Sequence, residues 1–294
     1  MTTDNNDNIK VVNSPTELVH KIIEDVAAKQ ERNLQEALDM LQGYTMARDI
    51  TRVDRLKVAV CGDKKSGKSC LVARTARKPL LVYDFDDRRE SIAGIENVIV
   101  KTLIDMQSSM PSAWGKFETD IGMLEYLKSQ GKLPFRSIAL DSISFLRQYA
   151  ENQMMKDTNA NLRKNVIGLQ TYLIAQGWDS INYTRKMISE AFRRLFTLDV
   201  DVYAIFHTKN EKDYSKSTKD NTVYTGKLTV EPQNLNELLS IFNEVWRAYI
   251  DENNNFKLQL KPDYYFTAST ALNNQEAVED QDIQKMLDKH NSKV

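Results

Sequence analysis

Cysteine is scarce in this 294-residue chain: Cys61 and Cys70 are the two it has. That argues against a disulfide framework or a thiolate metal site, and two small thiols in a reducing compartment are the plain reading. An excess of one charge is missing too. The chain carries 40 Lys and Arg against 41 Asp and Glu, for a formal net charge of −1. Global charge therefore predicts no nucleic-acid binding, and any such surface must be a local patch. No apolar run approaches the ~20 residues that span a bilayer. Met1 to Lys10 are polar and acidic, unlike a secretory signal. The expected location is cytoplasmic, with no membrane partner. No internal repeat is visible. What is present is an apolar fraction of 41%, enough for a sizeable core.

The most informative segment is Gly62-Asp63-Lys64-Lys65-Ser66-Gly67-Lys68-Ser69, which fits the phosphate-loop pattern G-x-x-x-x-G-K-[ST] at every fixed position. Gly62 and Gly67 let the backbone curl so that its amides face a phosphate. Lys68 reaches the outer phosphates as a point charge, and the Ser69 hydroxyl ligates Mg²⁺. A helix opening near Ser69 and Cys70 adds its positive end beneath the same oxygens. The flanks agree with this reading. Leu56 to Cys61 is short, apolar and β-branched, as a buried strand should be, and Ser69 to Arg74 runs on without Gly or Pro. The loop from Gly62 to Cys70 is thus expected to bind a nucleotide, with ATP and Mg²⁺ as the cofactors.

Along the chain, residues 1 to about 13 read as disordered. Ser14-Pro15-Thr16-Glu17 starts a helix, and Leu18, Ile22, Val26, Leu34, Leu38 and Leu41 recur at helical spacing. Residues 1–50 therefore form a disordered start and a helical extension. From Arg55 strands and helices alternate: strands at Pro79 to Phe85, Val98 to Val100, Ser137 to Asp141 and Val200 to His207, helices at Trp114 to Gln130 and Ser180 to Leu198. Alternation of this kind predicts an α/β domain over residues 51–270, a mainly parallel sheet flanked by helices. Lys209 to Val223 is polar and reads as a mobile loop. Lys227 to Val230, Glu244 to Ile250 and Phe256 to Leu260 read as closing strands or hairpin arms, with a turn at Asn253-Asn254-Asn255. Residues 271–294 read as a polar tail with a short helix.

A phosphate loop needs a second acid at the end of a neighbouring strand to orient the Mg²⁺ water shell. Asp141 fits; the alternative is an Asp that caps a turn. Hydrolysis needs a group that orients or deprotonates water. Asp84 and Asp86 share a face at the end of the second strand, and Asp86 lies nearer its carboxyl end, where ligands bind in such sheets. A solvated turn with Arg88 and Arg89 as partners is the other reading, and both stay open. His207 ends an apolar strand at the same edge. It is either a γ-phosphate contact or a satisfied structural histidine.

The order of these parts resembles the RecA-like ATPase core, and more narrowly the phage-encoded RecA-like nucleotide-binding proteins associated with single-strand annealing and recombination. The resemblance runs over about residues 55 to 265. It is carried by the phosphate loop, by Leu81 to Asp86, by Ile138-Ala139-Leu140-Asp141-Ser142, by Gly177-Trp178 before a long helix, by Ala204 to His207, and by Thr225-Gly226-Lys227-Leu228. The resemblance implies a RecA-like P-loop NTPase core with C-terminal β-hairpin strands, and Lys68, Asp86 and His207 as its catalytic residues. Asp86 falls where a catalytic Glu usually stands, and His207 where a polar sensor links the γ-phosphate to DNA. Lys209 to Val223 and Lys156 to Gly177 then correspond to DNA loops. In them Arg163, Lys164, Lys212, Lys216 and Lys219 would meet phosphates, and Tyr214 and Trp178 would stack on bases; solvated flexible loops are the other reading. Single-stranded DNA, a single-strand-binding or annealing protein and further copies of the chain are the implied partners, in a bacterial host cytoplasm. Lys261 is the one basic residue near the final strands that fits a finger reaching into a neighbouring subunit. A non-hydrolysing, ATP-ordered annealing scaffold and a helicase-like motor or loader are the rival functions.

Overall fold

The computed structural model describes residues 55–104, 112–162, 178–213, 215–218, 221–231 and 233–292, together with 24, 26–30 and 32. The chain divides into two compact units, Met1–Arg52 and Val53–Val294. In the first, the described residues are helical. Val26 is among them; Ser14, Pro15 and the other apolar positions of that extension lie outside the described residues.

The second unit is built on one nine-stranded sheet. Its first strand, β1 (Lys57–Gly62), leads through the phosphate loop into α1 (Lys68–Thr75). There follow β2 (Leu80–Asp84), β3 (Val98–Thr102), α2 (Ala113–Ser129), β4 (Ser137–Asp141), α3 (Ile143–Leu162), α4 (Trp178–Phe196) and β5 (Asp201–Lys212). The chain closes with β6 (Tyr224–Glu231), a 3-10 segment (Gln233–Ile241), β7 (Glu244–Ile250), β8 (Phe256–Gln259), β9 (Val278–Asp280) and α5 (Ile283–Asn291). The strand order is β3-β2-β4-β5-β1-β7-β8-β9, with β6 paired to β5. The pairings β1–β5, β1–β7, β2–β3, β2–β4 and β4–β5 are parallel. Those of β5–β6, β7–β8 and β8–β9 are antiparallel.

The central strands read as unbroken apolar runs because both faces are covered. Period-two alternation divides them. Ala59, Cys61, Tyr83, Leu140, Ala204 and Phe206 enter one core with α2, α3 and α4. Val58, Val60, Leu80, Val82, Ala139, Tyr203 and Ile205 enter the other with α1 and α5. Asp201, fully buried at the start of β5, locks this centre. It accepts from the Leu56 amide at 2.8 Å and from Arg77 Nε at 2.6 Å. The end of α1 is thereby tied to two strands.

Two expectations change. Of Lys209 to Val223, read as a mobile loop, the described residues of 213–223 lie outside both strands, as a connection between them should, but Lys209 to Lys212 continue β5 and pair with β6, as in Lys209↔Thr229. Backbone hydrogen bonds, with little apolar burial, hold these polar residues in strands, so the hydrophobic pattern gives no sign of them. Residues 271–294, read as a polar tail with a short helix, do carry that helix as α5, but its Ile283, Met286 and Leu287 are buried and the edge strand β9 precedes it.

Candidate functional site

Glycine is required twice in the phosphate loop. A Cβ at Gly62 would sit 2.2 Å from the Ala248 carbonyl oxygen on β7. Gly67 has φ +86°, a left-handed conformation, and a Cβ there would meet Gln281 Oε1 at 2.7 Å and the Phe256 ring at 2.8 Å. Between them the loop curls round Lys68. Its ammonium donates to the carbonyls of Gly62 at 2.9 Å and Asp63 at 2.5 Å, and lies 3.4 Å from Ser66 Oγ. Lys68 is buried, and that burial lowers its pKa to about 8 against the pull of Asp141 and Asp63. Asp63 also fastens the loop to β5, accepting from Thr208 Oγ1 at 2.9 Å.

The neighbouring strands bring the acids to the same edge. β2 and β4 pair with Asp84 opposite Asp141, and β1 and β5 pair with Gly62 opposite His207. Ser69 Oγ donates to Asp141 Oδ2 at 2.5 Å. Burial pushes the Asp141 carboxyl above the usual range, with the Ser69 hydrogen bond and Lys68 pulling the other way. A hydroxyl and a carboxylate this close are oxygen donors of the kind Mg²⁺ takes.

Asp84 and Asp86 have separate fates. Asp84 accepts from the amides of Asp86 and Arg88 and from Thr102 Oγ1, each at 3.2 Å. Its carboxylate holds the turn. Asp86 lies beyond that turn with its side chain 4% exposed. Its Oδ1 is buried with no hydrogen-bond partner among the described residues, and its Oδ2 lies 3.4 Å from Arg88 Nε. Burial, then the charge of Asp141, pushes its pKa up to about 7, against the pull of Arg88. His207 Nδ1 is likewise buried without a partner. Burial and the nearby charges of Lys68, Lys64 and Arg88 lower its pKa to about 4, so it is neutral at pH 7.

These groups line one cleft of about 630 Å³. Lys64 to Cys70, Asp86, Arg88, Asp141 and His207 form its polar side, and Leu71, Arg74, Thr75, Phe256 and Gln281 also line it. The cleft thus gathers Lys64, Lys65, Ser66, Gly67, Lys68, Ser69, Cys70, Asp86, Asp141 and His207 from the residues expected in the sequence. Two unpartnered buried polar atoms, a buried ammonium and a Ser–Asp oxygen pair fit a nucleoside triphosphate with a divalent cation. Lys212 and Lys216 lie at the β5–β6 hairpin, outside the cleft lining. Lys261 follows β8, exposed, and is also outside it. Arg163, Lys164, Tyr214 and Lys219 lie outside the described residues, as does the side chain of Trp178.

Sequence reasoning missed Arg88 as a site residue, along with Phe256 and Gln281. Gln281 Nε2 donates to the Ser66 carbonyl at 2.9 Å and to that of Lys257 at 3.2 Å, clipping the phosphate loop to β8. Nothing local marks a glutamine for that task 215 residues from its acceptor. Of the thiols, Cys61 is fully buried, whereas Cys70 is half-exposed and donates to the Ser91 carbonyl at 3.1 Å. Among the described residues no helix is long and apolar enough to cross a membrane, and no cluster of three or more His, Cys, Asp or Glu side chains could hold a metal.

No curated protein matches the chain. The family described as the AAA domain matches residues 54–279, from the start of β1 to β9 and so across every cleft residue but Gln281. Phosphate loop, parallel sheet and sequence match agree, and the chain belongs to the AAA domain family of P-loop ATPases.

Proposed function

We propose that the cleft binds ATP with Mg²⁺ and hydrolyses it slowly, and that turnover is coupled to single-stranded DNA in phage recombination or annealing. The observation that carries the nucleotide part is the meeting of Lys68, the Ser69–Asp141 pair, Asp86 and His207 in one cleft. Lys68 draws charge from the β- and γ-phosphates, exchanging its loop carbonyls for phosphate oxygens. Ser69 and Asp141 would hold a Mg²⁺, which would supply further positive charge against the same oxygens. Asp86 aligns a water on the γ-phosphorus. As the water oxygen bonds to that phosphorus, its bond to the β,γ-bridging oxygen breaks. The electron pair leaves on the β-phosphate, and the proton of the water passes through Asp86 to solvent. Neutral His207 hydrogen-bonds the γ-phosphate and, at the root of the β5–β6 hairpin, relays its loss to Lys212 and Lys216.

The DNA part rests on resemblance to RecA-like phage proteins and on the lysines of that hairpin. A scaffold that holds ATP without efficient turnover is the second reading. It is favoured by the short Asp86, whose raised pKa leaves it partly protonated near pH 7. The test is the ATP hydrolysis rate with and without single-stranded DNA at low salt, for wild type and Lys68→Ala. Expected are a DNA-stimulated rate in wild type and none in the variant. Normal turnover in Lys68→Ala would sink the site assignment, and an unstimulated or absent wild-type rate favours the scaffold.

A further inference from the structure

Two arginines line the AAA-domain cleft outside the phosphate loop, Arg74 on α1 and Arg88 beyond β2, and neither the phosphate-loop pattern nor the catalytic carboxylate accounts for them. Arg88 has a fixed backbone and a free head. Its amide donates to Asp84 Oδ1 at 3.2 Å, and its carbonyl accepts from the Ser91 amide at 3.4 Å and from Ser91 Oγ at 3.2 Å. The side chain is 60% exposed, and its one described ion pair is the 3.4 Å approach to Asp86.

Its location fixes which end of a nucleotide it would meet. A second cavity of about 480 Å³ adjoins the cleft and shares Lys64, Arg88 and His207 with it. Arg74, Thr75, Phe256 and Gln281 line the first cavity alone. The nucleoside therefore belongs at the Phe256 side, and the terminal phosphate at the wall of Lys64, Arg88 and His207. Among the described residues, Lys261 lies outside both cavities, and Lys209, which lines the second cavity alone, lies 3.9 Å from Glu231 on β6.

We infer that Arg88 is a catalytic residue supplied within the same chain, whose guanidinium moves from Asp86 onto the γ-phosphate of the bound triphosphate. The inference rests on the nucleotide reading above. A planar guanidinium suits the task, because it can grip two equatorial oxygens at once as charge spreads over them. Its departure frees the Asp86 carboxylate to take the proton of the attacking water. The bonds made and broken are those of the hydrolysis already written; Arg88 contributes charge and two hydrogen bonds and gives up no proton. A cation held in the same chain means that turnover needs no cation from a second copy.

The test compares wild type, Arg88→Ala, Arg88→Lys and the exposed neighbour Arg89→Ala. Four readouts are taken: affinity for ADP, affinity for the β,γ-imido analogue of ATP, binding of ADP with aluminium fluoride, and turnover against protein concentration. Expected for Arg88→Ala are unchanged ADP affinity, about tenfold or more weaker binding of the imido analogue, loss of the aluminium fluoride complex, and turnover lower by about 10³-fold. Arg88→Lys falls between, Arg89→Ala matches wild type, and wild-type specific activity does not change with concentration. Wild-type affinities and turnover in Arg88→Ala would overturn the inference. So would specific activity that rises steeply with concentration in wild type and Arg88→Ala alike, which assigns the cation to a second copy. Wild type that binds none of the three nucleotide forms overturns the nucleotide reading itself, and this inference with it.

Discussion

Asp84 and Asp86 are the same residue type, two positions apart, and the difference between them is where their lone pairs go. Asp84 has donors for both oxygens and serves the turn. Asp86 keeps an unpartnered buried oxygen and faces the charge of Asp141. Its pKa is raised in the folded state, from 3.8 to about 7. Between those values the folded state binds the proton more tightly than the unfolded one, so this group's contribution to stability falls as pH rises through that window. Asp86→Asn is therefore expected to stabilise the ligand-free protein at pH 8, by on the order of 1–2 kcal/mol or about 2–8 °C in Tm, while abolishing turnover. Thermal melts at pH 5 and pH 8 check this: a gain that is absent at pH 8 sinks it. Two ionisations also set the expected pH dependence of kcat/KM. Activity rises as Asp86 loses its proton near pH 7, and falls as Lys68 loses its own near pH 8. A flat profile from pH 6 to 9 would remove Asp86 from the proton path.

Among the elements, β9 and α5 have the largest gap between bland sequence and structural task. Asp282 caps α5 by accepting from the Lys285 amide, and the Ile283 amide donates to Thr75 Oγ1 on α1 at 3.2 Å. Ile283, Met286 and Leu287 then complete the core on that side of the sheet. Just before the helix, Gln281 holds the phosphate loop to β8. Packing and loop geometry are thus separable. Met286→Ala removes buried volume and is expected to cost about 2–4 kcal/mol in a denaturant titration, with nucleotide affinity kept. Gln281→Ala removes a half-buried clip, and is expected to leave the denaturation midpoint nearly unchanged while weakening nucleotide binding several-fold. If both variants shift stability and affinity together, the clip has no role separate from the fold.

For the whole molecule, the sheet topology decides the site. Inserting β5 between β1 and β4 places His207, Gly62 and Asp141 along one edge, although they are far apart in the chain. A ligand bridging these strands should stabilise the second compact unit as a body. At a Mg-ATP concentration of 100 Kd the linkage is about 2.7 kcal/mol, or about 5–11 °C in Tm for a unit of this size. Wild type should show the shift and Lys68→Ala should not; equal shifts in both would place the ligand elsewhere. On the proposed reading that single-stranded DNA is the partner, a net charge of −1 leaves its contacts to local lysines. Binding should therefore weaken steeply between 50 and 200 mM salt, by orders of magnitude if several phosphates are contacted.

The phosphate loop was legible in the sequence because each of its positions is fixed by local demands: curvature at Gly62 and Gly67, charge at Lys68, a hydroxyl at Ser69. The buried strands β1, β2, β4 and β5 were legible for a related reason, since covering both faces forces unbroken apolar runs. Asp141 followed from its place at the end of such a run. The extension of β5 to Lys212, its pairing with β6, the strand β9, the buried face of α5 and the site residues Arg88, Phe256 and Gln281 were not. Their roles depend on partners distant in the chain or on backbone pairing that leaves no apolar periodicity. Which of two equivalent aspartates is left free, and which arginine of Arg88-Arg89 lines the cleft, are matters of hydrogen-bond geometry in three dimensions. The sequence by itself determined a phosphate-binding α/β domain; only the tertiary structure decided which side chains meet there, because neighbours across a sheet are chosen by strand order and not by separation along the chain.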